Sequence, residues 1–217
     1  MTSFPNSPRL LKGAIVGIDK NNPAASVIVF QYNPETMTRK VEARTAGGGE
    51  TGDRSEALRL TSAPKETITI SVDIDATDQL ERAEATAVAQ GINPTLAALE
   101  MLFYPKSSVV LENISLAAGG MLTITPTEAP LTLFVWGPTR VLPVRITSFS
   151  ITEQAFDTLL NPIQAKVDLT MQVLSYYDLE TKHRGFSLFV AYQIAKEIMA
   201  TGNTFNNAQS LGVSLKL

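Results

Sequence analysis

The chain has 217 residues, of which 44% are hydrophobic and only 18% charged, with a net charge of −3 and no cysteine. That length suits one domain of generous size or one domain with an extension. The charge content lies below the roughly 25% of ordinary globular proteins and implies a surface partly covered by neighbours. Scattered charges of both signs exclude a phosphate-neutralising nucleic-acid surface. The absence of cysteine excludes disulfides, thiolate metal sites and thiol nucleophiles.

The opening Met1-Thr2-Ser3-Phe4-Pro5-Asn6 has no basic, apolar leader, and no apolar run approaches the roughly 20 residues of a membrane span. Cytoplasmic synthesis without membrane insertion is therefore expected. Leu10 to Ile18 and Ser26 to Tyr32 are β-branched runs around Asp19-Lys20-Asn21-Asn22-Pro23, which predicts a hairpin with a five-to-seven-residue loop. Asn33-Pro34-Glu35 breaks the chain, Arg39 to Thr45 reads as a short polar strand, and Ala46 to Ser55 as a Gly-rich loop. From Glu66 to Asp75, Ile68, Ile70, Val72 and Ile74 alternate with Thr67, Thr69, Ser71, Asp73 and Asp75, the pattern of a half-buried strand.

The period then changes. Thr77 to Gln90 carries Leu80, Ala83, Ala87 and Val88 at helical spacing, with Gly91 as the stop. Asn93 and Pro94 open a second helix, Thr95 to Tyr104. Strands are predicted at Ser108 to Leu116, Met121 to Thr125, Leu131 to Trp136, Arg140 to Glu153 and Ile163 to Leu174, with turns at Ala118-Gly119-Gly120 and Gly137-Pro138-Thr139. Gly185 to Ala200 is a helix with Phe186, Phe189, Val190, Ile194 and Ile198 on one face, and a polar tail follows from Thr201. Consecutive strands with short turns favour antiparallel pairing in a barrel or sandwich with a helical appendage.

Catalytic chemistry finds little support. The lone His183 sits among cations before a helix and reads as surface. Gly47-Gly48-Gly49-Glu50-Thr51-Gly52 has dinucleotide spacing, but the strand before it is polar, and Glu50 and Asp53 would repel a pyrophosphate. Asp73, Asp75 and Asp78 lack the glycine and distal glutamate of a calcium loop and read as a solvated face or helix cap. No metal, cofactor or catalytic residue is expected, and the chain is read as a non-enzyme.

Two stretches carry a family resemblance: Val29-Phe30-Gln31-Tyr32-Asn33-Pro34-Glu35, and the series from Trp136-Gly137 through Leu142-Pro143-Val144-Arg145, Ile151-Thr152-Glu153, Leu160-Asn161-Pro162 and Val167-Asp168-Leu169. Together they resemble the tube-type baseplate proteins of phage-tail-like contractile injection systems. The resemblance implies a mainly β chain (β-rich α+β), with an antiparallel tube-like β-barrel over residues 1–175. The chain's own helical periodicity adds an insert at about 77–104 and a C-terminal helix and tail at 176–217, extra to a repeating tube subunit. The resemblance implies a homo-oligomer, a hexameric ring closed by strand pairing between copies. As a tube initiator or hub adaptor, that ring would link the inner tube to the central spike. Its partners would be the spike, inner-tube and baseplate proteins of an assembled particle. The LysM pattern that often ends such adaptors is absent after Leu174, so peptidoglycan binding is not expected. The main inner-tube subunit and a small-ligand-binding β-barrel are the alternatives.

The residues expected to carry the motif are structural. Phe30, Tyr32, Asn33 and Pro34 should fix a strand end. Trp136, Gly137, Pro143 and Arg145 should set the next corner, and Glu153, Asn161 and Pro162 the last loop. Arg145 and Glu153 are candidates for an ion pair between ring neighbours.

Overall fold

The computed structural model describes residues 11–19, 22–45, 60–104, 107–119 and 130–210. Among these residues seven strands pair in one antiparallel sheet: β1 (Ala14–Asp19), β2 (Asn22–Val29), β3 (Met37–Thr45), β4 (Leu60–Asp75), β5 (Leu131–Val135), β6 (Val141–Phe156) and β7 (Pro162–Val173). Their spatial order is β2-β1-β5-β6-β7-β4-β3. The predicted alternation in β4 holds, since Ile68, Ile70, Val72 and Ile74 are all buried. Each meets an inward residue of β7, with Ile68 opposite Met171, Ile70 opposite Leu169 and Val72 opposite Val167. Burying each such side chain is worth about 1.5–3 kcal/mol, so this ladder dominates the core.

The expected closed barrel is not formed: the sheet is open, and among the described residues nothing pairs with the outer edges of β2 and β3. Helix α3 (Asn93–Glu100) packs against the sheet, where Leu96 and Leu99 join Phe30, Ile74 and Val167 in one core. The sheet curls far enough for the Gln31 side-chain oxygen, just past β2, to accept the Asp75 N–H at the end of β4 at 3.0 Å. That approach is made by a side chain and not by a strand ladder, so the two ends of the sheet do not join.

The hairpin of β1 and β2 is tighter than expected. Asn22 and Pro23 lie in β2, and Asp19 pairs with Asn22, while Lys20 and Asn21 lie outside the described residues. The expected helix 77–90 is two, α1 (Thr77–Glu81) and α2 (Ala85–Gln90), because Ala83 takes φ +51 between them. That corner buries Ala87 and Ile92 and leaves Ala83 and Val88 outside. Helix α3 starts two residues before the predicted Thr95, and Ile92, not Asn93, occupies its cap position.

The largest error is Ser108 to Leu116. This stretch belongs to helix α4 (Ser107–Ala118), none of whose residues is buried. A β-branched run forms a strand only where a partner supplies hydrogen bonds, whereas a helix satisfies its own backbone. The expected strand Met121 to Thr125 and loop Ala46 to Ser55 lie outside the described residues. Helix α5 (Arg184–Ser210) continues past the expected tail at Thr201. Phe189 and Tyr192 form its buried row, and the predicted Ile194 and Ile198 are exposed.

Gly91 ends α2 at φ +58 and ψ −133, and an added Cβ there would lie 2.2 Å from the Pro162 carbonyl oxygen. That same oxygen accepts the Ile92 N–H at 2.9 Å, joining the helical layer to the start of β7. Gly91→Ala should therefore cost about 1–3 kcal/mol through backbone strain, with the clash in addition. Urea unfolding with an unchanged m-value and a lower midpoint is the expected result; a midpoint equal to wild type would mean that this junction can relax.

Candidate assembly surface

The first motif is a strand-end device. Phe30 is buried, and its backbone N–H donates to the Gly13 carbonyl at 2.9 Å. Asn33 clamps the same strand from the other side: its Oδ1 accepts the Gly13 N–H at 2.9 Å, and its Nδ2 donates to the Leu11 carbonyl at 2.8 Å. Pro34 is half-buried and Tyr32 exposed. Gly13 lies where any side chain would strike the rings of Phe30 and Trp136, each 2.8 Å from an ideal Cβ. The two motifs thus meet at one glycine, a contact that spacing alone could not reveal.

In the second motif, Trp136 stacks on Phe134 with centroids 5.8 Å apart. The Trp136 backbone N–H donates to the Arg140 carbonyl at 2.8 Å across a turn in which Gly137 has φ +80. Pro143 is fully buried, and its carbonyl accepts the Leu174 N–H at 2.8 Å. Arg145 Nη2 donates to Gln172 on β7 at 3.2 Å, whereas Glu153 is exposed and opposite Ala165 in the register. Both lie on β6, well apart, so within one copy they do not pair.

The connection 157–161 between β6 and β7 is organised by one carboxylate. Asp157 Oδ1 accepts the N–H groups of Leu159 and Asn161 at 2.7 and 2.8 Å, and Oδ2 accepts Asn161 Nδ2 at 2.8 Å. Leu160 is held at φ +64, and Pro162 behind it is buried. The result is a rigid turn presenting Leu159, 74% exposed, and Leu160, 80% exposed. Asp75 is a similar organiser: it accepts the backbone N–H and the hydroxyl of Thr77 and the Gln164 Nε2 at 2.7 Å. It is thus a fixed knot at the start of α1, nearer to the helix-cap reading than to the solvated face, although Ala76 occupies the cap position itself.

One functional group escaped the sequence reading. Glu66 is 5% exposed, in phase with the buried isoleucines of β4. Arg39 of β3 approaches its Oε1 at 2.7 Å and Lys196 of α5 its Oε2 at 3.1 Å. Arg39 Nη2 also donates to the Tyr192 hydroxyl at 3.0 Å, and the Lys196 ammonium lies 4.1 Å from the Tyr192 ring centroid. A carboxylate at an inward position of an alternating strand, with Tyr and Lys four residues apart on a later helix, was the available signal. No cluster of three or more potential metal ligands occurs among the described residues. His183 Nδ1 accepts the Gly185 N–H at 3.2 Å, a local helix-start contact. Among the described residues, no helix is long and apolar enough to cross a membrane.

A family model described as contractile injection system tube protein matches residues 10–182. Two solved structures are similar over 74% of this chain and 89% of theirs. One is the tail of an empty gene transfer agent particle with C6 symmetry (13% identity, TM-score 0.32), and the other the virion of a native gene transfer agent particle (11% identity, TM-score 0.29). No curated protein matches the chain. Fold and family together define a structural component of phage-tail-like particles. The chain belongs to the contractile injection system tube protein family.

Two outcomes test these clasps. Glu66→Ala removes the acceptor shared by Arg39 and Lys196 and should cost about 1–3 kcal/mol. Amide exchange in α5 should rise first; loss confined to β1 and β2 would refute the clasp. At Asp157, the hydrogen bond from the Asn161 side chain, with the backbone N–H groups of Asn161 and Leu159, outweighs desolvation and holds the carboxyl below its ordinary value. Its contribution is therefore complete above the unfolded value of about 3.9 and lost as pH falls through the lower folded one. Protection of the Leu159 and Asn161 amides, taken relative to intrinsic exchange at each pH, should hold down to about pH 4 and fall only below it; a fall already near pH 5 would contradict the clasp.

Proposed function

We propose that this chain is a non-catalytic ring subunit placed where the inner tube of a contractile injection particle begins at its central spike. The observation that carries the ring is the open sheet. The outer edge of β3, and that of β2 at the other end, present unpaired backbone groups among the described residues. Such edges template pairing with another strand. Joining β2 of one copy to β3 of the next covers both at once and repeats around a closed ring. Six copies is the number that the family resemblance implies.

Placement at the junction is supported by what the chain adds to its sheet. The layer α1 to α4 and the long α5 are extra surface, available to spike and baseplate proteins. In this reading residues 1–175 form the ring body and 176–217 the extension. The motif residues, from Phe30 to Pro162, shape the body, and the Glu66 clasp fixes the extension to β3 and β4. The ligand-binding alternative has a cleft of about 440 Å³ near Phe30, Asp75 and Leu99. Its rim mixes Lys12, Asp78, Arg82 and Glu84, without a convergent set of polar groups.

Adjacent backbone N–H groups of an edge strand alternate between the partner strand and the open side. Of Lys40→Pro and Val41→Pro, one therefore strips a bond to β4 and the other an outward donor. The outward variant should keep the wild-type circular dichroism and Tm while native mass spectrometry shows loss of six-copy rings. Rings that survive both substitutions would eliminate β3 as the closing edge.

A further inference from the structure

We infer that the unpaired flank of β6, from Arg145 to Phe156, receives Leu211–Leu217 of the neighbouring copy as an added strand within the same ring. This rests on the ring reading above and names the segment by which adjacent copies hold one another. Strand β6 has 16 residues, yet β5 covers it only from Val141 to Val144. From Arg145 onward β6 is paired by β7 alone among the described residues, which leaves one side of its backbone open.

The ladder of β5 stops at Pro130 for a chemical reason. Because the Trp136 N–H bonds to the Arg140 carbonyl, the backbone groups of even-numbered residues in β5 face β6, and Pro130 is the next of them. It has no N–H to give, and its carbonyl accepts the Thr132 hydroxyl at 3.3 Å. Beyond it, β6 borders a groove of about 540 Å³ lined by Phe103, Tyr104, Phe149 and Ile151. Phe103 rests on Phe149 with ring centroids 5.7 Å apart, and both Phe103 and Tyr104 are exposed. An open strand flank beside an aromatic groove suits an extended segment with an apolar residue at every second position. Leu211-Gly212-Val213-Ser214-Leu215-Lys216-Leu217 has that pattern, with Leu211, Val213, Leu215 and Leu217 in phase. Its one charge, Lys216, suits a site whose acids are Glu100 and Glu153, while Arg145 at the far end is bonded to Gln172.

Leu211–Leu217 lies outside the described residues, and the path of α5 decides which copy it reaches. The helix starts beside β6, where a Cβ on Gly185 would lie 3.3 Å from that of Pro143. By Tyr192 and Lys196 it has reached Arg39 of β3 and Glu66 of β4. It therefore crosses from β6 over β7 and β4 toward β3, three strand spacings or about 14 Å. The helical rise from Gly185 to Lys196, roughly 16 Å, agrees with that crossing. Past Lys196 the helix continues to Ser210, about 21 Å more, beyond β3 and away from its own β6. In the ring, the next copy meets β3 with β2, then β1, then β5. The lane of β5 along β6 lies about 14 Å from β3, within reach of those last helical turns. Seven residues bind weakly when free, but a segment held at the neighbour by the ring acts at high effective concentration.

The chain has no cysteine, so engineered thiols report without background. Thr152 is exposed on β6 and would share the polar face of the added pair with Ser214. A chain carrying both Thr152→Cys and Ser214→Cys, treated with a short bismaleimide, should give covalent multimers up to the hexamer. Each single variant should stay monomeric on a denaturing gel, and Ser150→Cys serves if Thr152→Cys fails to fold by circular dichroism. Adding Val213→Asp and Leu215→Asp should lower the multimer yield about tenfold or more. Rings in native mass spectrometry without covalent multimers would overturn the strand addition and leave the ring reading standing. Multimers without closed rings would keep the strand addition and overturn the ring, and the absence of both would overturn both. A monomer with an internal crosslink would show the segment on its own β6 and also overturn the proposal.

Discussion

Strand β7 is paired along its length, and the rest of the molecule is arranged on that pairing. With β4 on one side and β6 on the other, its inward residues Ala165, Val167, Leu169, Met171 and Val173 are all buried. The helical layer attaches at its first residue, where the Pro162 carbonyl holds Ile92. From its last residue the chain runs on toward α5. A shift of one residue in this register would turn the apolar row outward and dissolve the core. No other element has that leverage.

Around this frame, carboxylates do local jobs of the same kind. Asp75, Asp157 and Asp178 each accept N–H groups at a chain reversal, which converts exposed turns into fixed geometry. Glu66 works at longer range, tying an edge strand to α5 with two cations. A protein of low charge content thus places several of its acids where backbone or cations need them. What remains outside is unusually apolar: Leu159, Leu160, Tyr177, Leu111 and Ile114 are all exposed. A surface of that kind, with two open sheet edges, suits a subunit of an assembly better than a solitary protein.

The sequence by itself determined the elements whose signals are local. Alternation marked β4, Asn-Pro and Gly-Pro marked the corners of β2 and β5, and the second motif traced β6 and β7 nearly end to end. The resemblance carried by these corners agreed with the family. Tertiary structure alone decided the remainder, because each case depended on what lies opposite. The run 107–118 became α4, since its β-branched residues have no strand partner among the described residues, and a helix needs none. The helix of 77–90 broke at Ala83 so that Ala87 and Ile92 could face the core. The sheet ends at β2 and β3, which approach across it only through the Gln31 side chain on the Asp75 N–H. Glu66 became a clasp only because Arg39 and Lys196, 27 residues before it and 130 after it, converge on one carboxylate. Periodicity reports which way a side chain points; only the folded chain brings it a partner.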